Sequence, residues 1–319
     1  MPERNSTPVS EVGSLGMGIT GGGKAHFMGR VRALVLLTGF IGSALLLMPS
    51  QALALRFGWP MAKWLPNRYH RFLCRLLGIR VHIRGERYAG GACLLAINHT
   101  SWLDIPILAS LQPCSFVAKS EVNAWPFFGT LARLQETVFV ERERRARTAD
   151  SRNEIHARIA AGDTLVLFPE GTSSDGNRVL PFKSALMSVA QLTIVSSDAD
   201  READLAVQPV SVAYTRVNGL PMGRVLRPFF AWYGDMELFP HLWEAFVMGP
   251  IDVVVEYHPP VTIREVGNRK ALAQYCQACC QRGLSSALLG RDIPGAVAKP
   301  ERPVGVVARF RRGFLKATG

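Results

Sequence analysis

The feature that most constrains this chain is a long uncharged run: between Arg32 and Arg56 no residue carries a charge. The run is apolar from Ala33 to Met48 and again from Gln51 to Leu55, and as a helix it is long enough to span a bilayer. Pro49 is expected to divide it, so a broken helix dipping into one leaflet fits as well as a full span. The rival reading is a signal peptide with Ala52-Leu53-Ala54 as its cleavage site, but the polar leader ahead of it is too long and too weakly basic. Lys24, Arg30 and Arg32 precede the run and Arg56 and Lys63 follow it, so the flanking charges set no orientation.

The next segment, residues 61–78, mixes Lys63, Arg68, Arg71 and Arg75 with Trp64, Tyr69, Phe72 and Leu73. That pattern suits an amphipathic helix on anionic lipid, the alternative being an ordinary surface helix packed on a domain. Residues 307–316 interleave Arg and Lys with Phe and Leu in the same way. The chain as a whole carries 37 Lys and Arg against 25 Asp and Glu, a formal charge of +12, with a mean hydropathy of +0.12. A balance this basic has two usual partners, nucleic acid and an anionic membrane surface. The apolar and aromatic residues among the basic ones favour the membrane.

Other signals exclude more than they indicate. Residues 1–30 are Gly- and Ser-rich without apolar periodicity, which reads as a disordered leader. Gly18 to Lys24 satisfies G-x-x-x-x-G-K, but Ala25 stands where a phosphate loop needs Ser or Thr for magnesium. The six cysteines (74, 93, 114, 276, 279 and 280) have irregular spacings in a long chain, which fits a reducing cytoplasm better than a disulfide framework. Cys276-x-x-Cys279 has no second pair and lies in a helical stretch, so no zinc site is read there.

From residue 80 onward short apolar runs alternate with helical periods. Strands are expected at Val81–Arg84, Ala92–Ile97, Ser115–Ala118, Thr137–Val140, Thr164–Phe168, Ala206–Ala213 and Ile251–Glu256. Helices are expected at Arg145–Ala161, closed by Gly162, and at Lys183–Leu192. The alternation predicts an α/β fold with a mixed, largely parallel sheet flanked by helices, preceded by N-terminal membrane-associating helices. The resulting division is a leader (1–30), a membrane-anchoring segment (31–79), an α/β domain (80–290) and a basic tail (291–319).

Two expected strands end in polar clusters, the usual place for a site in an open α/β sheet. The first is Asn98-His99-Thr100-Ser101-Trp102-Leu103-Asp104. Ser101 and Asp104 have the spacing of a helix capping box, which alone would explain them. A carboxylate in the first helical turn also reaches an imidazole just before the helix, where it orients the ring and stabilises its cation. The second cluster is Phe168-Pro169-Glu170-Gly171-Thr172-Ser173-Ser174-Asp175-Gly176, a strand stopped by proline and a tight turn offering backbone N–H groups to substrate or a developing oxyanion. A plain polar surface turn would satisfy its second half.

Taken together, Asn98-His99-x-Ser101-x-x-Asp104 and Phe168-Pro169-Glu170-Gly171-Thr172 resemble the H-x-x-x-x-D and F-P-E-G-T blocks of the PlsC-type glycerolipid acyltransferase family. Val138–Arg142 resembles the arginine block between them and Val207–Val210 the fourth block, so the likeness spans residues 80–260. The resemblance implies acyl transfer from a thioester, acyl-ACP or acyl-CoA, to a lysolipid hydroxyl without an acyl-enzyme, metal or cofactor. His99 would be the general base and Asp104 its orienting acid. Asn98, Ser101, Arg142, Glu170, Gly171 and Thr172 would bind substrate, with Pro209 near the acyl site. It also implies the cytoplasmic membrane, with the catalytic domain facing the cytoplasm and no nucleic acid partner.

Two positions depart from the pattern: Ser173 replaces a frequent arginine, and Glu136 stands where the second block often begins with glycine. Losing the planar cation weakens the case for a phosphate monoester, although Arg178 could substitute. Thr172–Ser184 and Trp232–Glu237 also resemble the lyso-ornithine lipid branch, leaving lysophosphatidate and lyso-ornithine lipid open as acceptors. The competing classes are a lipid or thioester hydrolase, for which no G-x-S-x-G occurs, and a non-catalytic basic binding protein.

Overall fold

The computed structural model of the chain describes residues 23–140, 145–191, 193–196, 201–291, 297 and 299. Arg142, most of the expected leader and the basic stretch 307–316 lie outside the described residues.

The uncharged run lies within a single helix, α1 (Gly23–Arg56), so Pro49 does not divide it. Proline forfeits one bond to the preceding turn, and here the helix continues through that loss. Residues 23–30 of the expected leader belong to this helix. A turn later the basic amphipathic stretch forms α2 (Met61–Leu77), ended by Gly78 at φ 73°, the left-handed geometry of a helix C-cap.

The strands are β1 (Ile79–Arg84), β2 (Cys93–Ile97), β3 (Ser115–Lys119), β4 (Val138–Val140), β5 (Thr164–Leu167), β8 (Ala206–Val217) and β10 (Ile251–Tyr257), with the short β9 (Leu220–Pro221) paired to β8. They line up in the order β1-β10-β8-β2-β5-β3-β4. Among the described residues of this sheet only β10 with β8 and β8 with β9 run antiparallel, so the expected mixed, largely parallel sheet is the one that forms. A separate hairpin, β6 (Thr193–Ser196) with β7 (Arg201–Asp204), had no sequence expectation.

The run Cys93–Ile97 is buried at every position, as a central parallel strand covered on both faces should be. Cys93, Leu95 and Ile97 face one core, with α1, α2, α3 (Asp104–Leu111) and α6 (Leu238–Met248). Leu94 and Ala96 face the other, with α5 (Arg145–Ala160) and α8 (Arg269–Leu289), while α4 (Phe128–Leu134) and α7 (Ile263–Val266) fill shorter connections. Helix α2 is fastened to the end of α3 by Asn67, which donates to the Ala109 carbonyl at 2.6 Å, and by Arg71, which donates to that of Ser110 at 2.9 Å.

The expected helix Lys183–Leu192 is reduced to a 3₁₀ turn over Leu186–Gln191. Just before it, the backbone N–H groups of Val179 and Phe182 donate to Gln281 and Gln277 of α8, which satisfies them without a helix. Helices α1 and α2 pack into the same core as the sheet, so the expected anchor is also a wall of the domain.

Candidate active site

Strands β2 and β5 are adjacent and parallel, with Ala96 opposite Leu167. That register brings the two polar clusters, 71 residues apart in sequence, to the same end of the sheet, where the His99 N–H donates to Glu170 Oε1 at 3.1 Å. The amide of Ser174 in turn donates to the His99 carbonyl at 2.9 Å.

Asp104 opens α3 directly beside the imidazole. Its Oδ2 lies 2.8 Å from His99 Nδ1 and also accepts from the backbone N–H groups of Thr100 (2.8 Å) and Ser101 (3.0 Å). Its Oδ1 accepts from the Tyr214 hydroxyl at 2.7 Å. A carboxylate only accepts, so Nδ1 carries the proton and Nε2 is left as the bare nitrogen. The ring is further fixed by stacking on Phe168 at 4.0 Å between centroids. Asp104 is fully buried while the His99 side chain keeps 18% of its exposure, which combines a fixed acid with an accessible base. The capping box is half formed: Asp104 takes the Ser101 amide, but the Ser101 hydroxyl makes no return bond.

His99 lines a cavity of about 500 Å³ whose walls are overwhelmingly apolar. Phe40, Ala44 and Leu47 of α1, Leu73 of α2, Phe128 of α4 and Phe246 of α6 contribute to it. Little of the lining surface is polar; among the described residues Lys119 is the lining lysine and Glu121 the lining carboxylate. Trp232, Tyr233 and Gly234 also line it, and the Trp232 N–H donates to the Thr100 carbonyl at 2.9 Å, tying that segment to the His99 loop.

The sequence-derived site residues divide into two groups. His99, Gly171 and Thr172 line the cavity together with Ser173. Asn98, Ser101, Asp104, Glu170 and Pro209 do not, and all are buried. Asn98 exchanges two hydrogen bonds with the backbone of Val212, at 3.0 and 2.9 Å, and so ties β2 to β8. Pro209 lies opposite Ala96 inside the sheet. Asn98, Ser101 and Glu170, expected from the resemblance to bind substrate, and Pro209, expected near the acyl site, thus sit behind the cavity wall and not on it.

Burial pushes the Glu170 carboxyl up to about 8, against the His99 and Leu180 backbone bonds and with the Asp104 charge adding to it. In the turn that follows, the Gly171 amide is already spent on the Phe168 carbonyl at 3.0 Å. The Thr172 and Ser173 amides have no partner among the described residues, and both residues are on the cavity wall. Arg178 is 72% exposed beside Asp175 and does not line the cavity, so it does not replace the arginine missing at Ser173.

Sequence reasoning missed Tyr214, which lies in an apolar strand run with nothing to mark its hydroxyl. It also missed a second arrangement with the look of a hydrolase triad. Ser211 Oγ is 3.2 Å from His258 Nε2, and His258 Nδ1 is 3.7 Å from Glu256. That arrangement is closed: a Cβ on Gly283 of α8 would sit 2.1 Å from Ser211 Oγ, leaving no space for a substrate carbonyl.

The sequence model of the Acyltransferase family matches residues 78–213. The chain is 47% identical over 271 residues to a lyso-ornithine lipid O-acyltransferase of Brucella abortus, covering 84% of this chain and all of that one. It is 42% identical to the Rhizobium meliloti enzyme of the same name, over 81% of this chain and 87% of the relative. A 1-acyl-sn-glycerol-3-phosphate acyltransferase of Neisseria gonorrhoeae is 30% identical, over 61% and 70%. Among solved structures, the 1-acyl-sn-glycerophosphate acyltransferase PlsC of Thermotoga maritima aligns with a TM-score of 0.56 at 21% identity, covering 84% of this chain and all of that one.

Proposed function

The chain belongs to the PlsC-type acyltransferase family and is an O-acyltransferase, and from that premise we propose that it moves a fatty acyl group from a thioester, acyl-ACP or acyl-CoA, to the free hydroxyl of a lysolipid. The observation that carries the reading is His99 on the wall of an apolar cavity, with Nδ1 committed to the buried Asp104. Nε2 takes the acceptor proton as its oxygen attacks the thioester carbonyl. The new C–O bond forms, the C–S bond breaks, and the departing thiolate takes the proton from the imidazolium. Asp104 orients the ring and stabilises that cation, as the acid does in a hydrolase triad. The Thr172 and Ser173 amides are the available donors for the carbonyl oxygen as it gains charge. The apolar cavity accepts the acyl chain, and a thioester supplies its own good leaving group, so the reaction asks for no cofactor or metal.

Lyso-ornithine lipid is the acceptor we favour, with 1-acyl-sn-glycerol 3-phosphate second. The relatives at 47% and 42% identity carry the first name and the one at 30% the second. An amino-acid head group presents a carboxylate and an ammonium, which Lys119 and Glu121 complement in sign, whereas a phosphate monoester calls for more positive charge. Arg142, outside the described residues, is the family position from which a further cation would come.

We place the enzyme on the cytoplasmic membrane, facing the cytoplasm where both thioesters are made, with lipid and not nucleic acid against its basic surface. Support comes from α1, whose stretch Phe27–Arg56 is apolar and long enough to cross a bilayer. One stripe (Ala33, Leu36, Phe40, Ala44) is packed on the domain, and Leu34, Val35, Leu45 and Leu46 on other sides are exposed. A helix committed in this way lies along a leaflet with its domain beside it.

The deciding experiment supplies labelled donor with both lysolipids to the wild type and to His99→Ala. General-base catalysis contributes about 10² to 10⁴-fold, so transfer should fall by that factor in the variant. Undiminished transfer by folded His99→Ala would remove His99 from the chemistry; preference for the phosphate acceptor would reverse the acceptor assignment.

A further inference from the structure

The acid of the dyad has two oxygens, and their partners differ in kind. Oδ2 is held by groups of its own loop: His99 Nδ1, Thr100 N and Ser101 N. Oδ1 is held by the Tyr214 hydroxyl, 110 residues away on β8, at 2.7 Å. The two oxygens share one plane, so the phenol adds a long-range restraint from β8 to an orientation that the loop's three donors to Oδ2 begin to set, and through the carboxylate it restrains the imidazole.

Tyr214 is itself rigidly placed. It is 1% exposed, and its carbonyl accepts from Arg227 Nε at 3.2 Å. Arg227 Nη2 also holds the Met222 carbonyl at 2.7 Å and Nη1 the Asn177 side chain. The strand register adds to this: Asn98, the residue before the base, clamps Val212 two residues before Tyr214. Burial and the nearby Asp104 charge push the phenol well above its ordinary range, so its proton stays in place as the donor.

We propose that Tyr214 is a positioning residue for this reaction, its hydroxyl fixing Asp104 and setting the basicity of the His99–Asp104 pair. The proposal rests on the general-base reading of His99. The phenol draws charge from Oδ1 and so moderates how strongly Asp104 stabilises the imidazolium. Without it the carboxylate is a stronger partner, His99 holds its proton to higher pH, and the acid limb of the rate profile moves up. Among the described residues, the other titratable groups acting on this centre are Glu170 after β5 and Cys74 from α2, while His241 from α6 lies one side chain further out, taking the Trp102 indole N–H at 3.1 Å.

The test is a double-mutant cycle on the full-length enzyme with Tyr214→Phe and Asp104→Asn, measuring kcat, KM for the lysolipid and the pH profile. Tyr214→Phe keeps the ring, and we expect kcat to fall about 10- to 100-fold, the order of effect of a small misplacement at a reacting centre. KM should stay unchanged and the acid limb should rise. In the Asp104→Asn background the same substitution should do nothing further, because its route to the base is already cut. An unmoved acid limb, or an equal loss on top of Asp104→Asn, would overturn the proposal and assign Tyr214 to packing alone. Should Tyr214→Phe not fold, 3-fluorotyrosine at position 214 keeps the shape and strengthens the donor, so the acid limb should move down; no movement overturns the idea. His99→Ala separates the two readings. Activity surviving in it overturns the base assignment and the positioning role together. Activity lost in it, with an unaltered Tyr214→Phe profile, overturns only the role of Tyr214.

Discussion

At the scale of single residues, Glu170 makes a prediction about stability. Its carboxyl is pushed from 4.5 up to about 8 by burial, so the folded state holds a proton that the unfolded chain has released. Stability should therefore be highest below about pH 4.5 as far as this group is concerned, decline as pH rises, and level off above about 8. The limiting slope for one such group is about 1.4 kcal/mol per pH unit. Glu170→Gln, which keeps an acceptor for the His99 N–H, should flatten that part of the curve; denaturant midpoints across pH 5 to 8 check it, and parallel slopes would contradict it. The motif made Glu170 visible in the sequence but not its place behind the wall, because burial depends on strands from distant parts of the chain. Glu136 shows the converse. The departure from glycine was legible, and the structure shows why glycine suits the position: φ is 55°, which glycine adopts freely and glutamate only at a cost. Here the side chain is held by Arg158 Nη1 at 2.6 Å.

At the scale of elements, α8 reaches the sheet through a glycine. A Cβ at Gly283 would fall 2.1 Å from Ser211 Oγ and 2.8 Å from the His258 ring, so Gly283→Ala should lower stability by about 1 to 3 kcal/mol through overpacking. Thermal unfolding measures the loss, and an unchanged midpoint would mean that β8 and α8 can part without cost. Most strands of the sheet were legible because buried parallel strands read as short apolar runs between turn signals. The hairpin of β6 and β7 was not, since its pattern is local and weakly apolar. The end of the uncharged run was misread for a related reason. A proline lowers helix propensity by a local amount, and the packing of α1 along the domain decides the outcome over its whole length.

At the scale of the whole molecule, the exposed apolar side of α1 should govern where the enzyme works. Leu45 and Leu46 are 56% and 78% exposed, and each leucine moved from water into lipid is worth about 1.5 to 3 kcal/mol. Leu45→Glu with Leu46→Glu should lower partitioning onto anionic vesicles by at least about 100-fold on that arithmetic. Turnover on detergent-dispersed lysolipid should persist, because neither residue is on the cavity wall. Vesicle sedimentation with a parallel detergent assay decides it, and a joint collapse of both would show that this side of the helix supports the fold instead. The sequence marked the apolar run and the two blocks of the site separately. It could not show that they meet, because the spacing of apolar residues in α1 is nearly uniform around the helix and hides which stripe faces the protein. The same helix thus has one side on the cavity wall and an apolar side exposed. On the membrane placement proposed above, an enzyme built this way is confined to a single leaflet: it takes in and returns lipid sideways, and its product reaches the opposite leaflet only by the agency of something else.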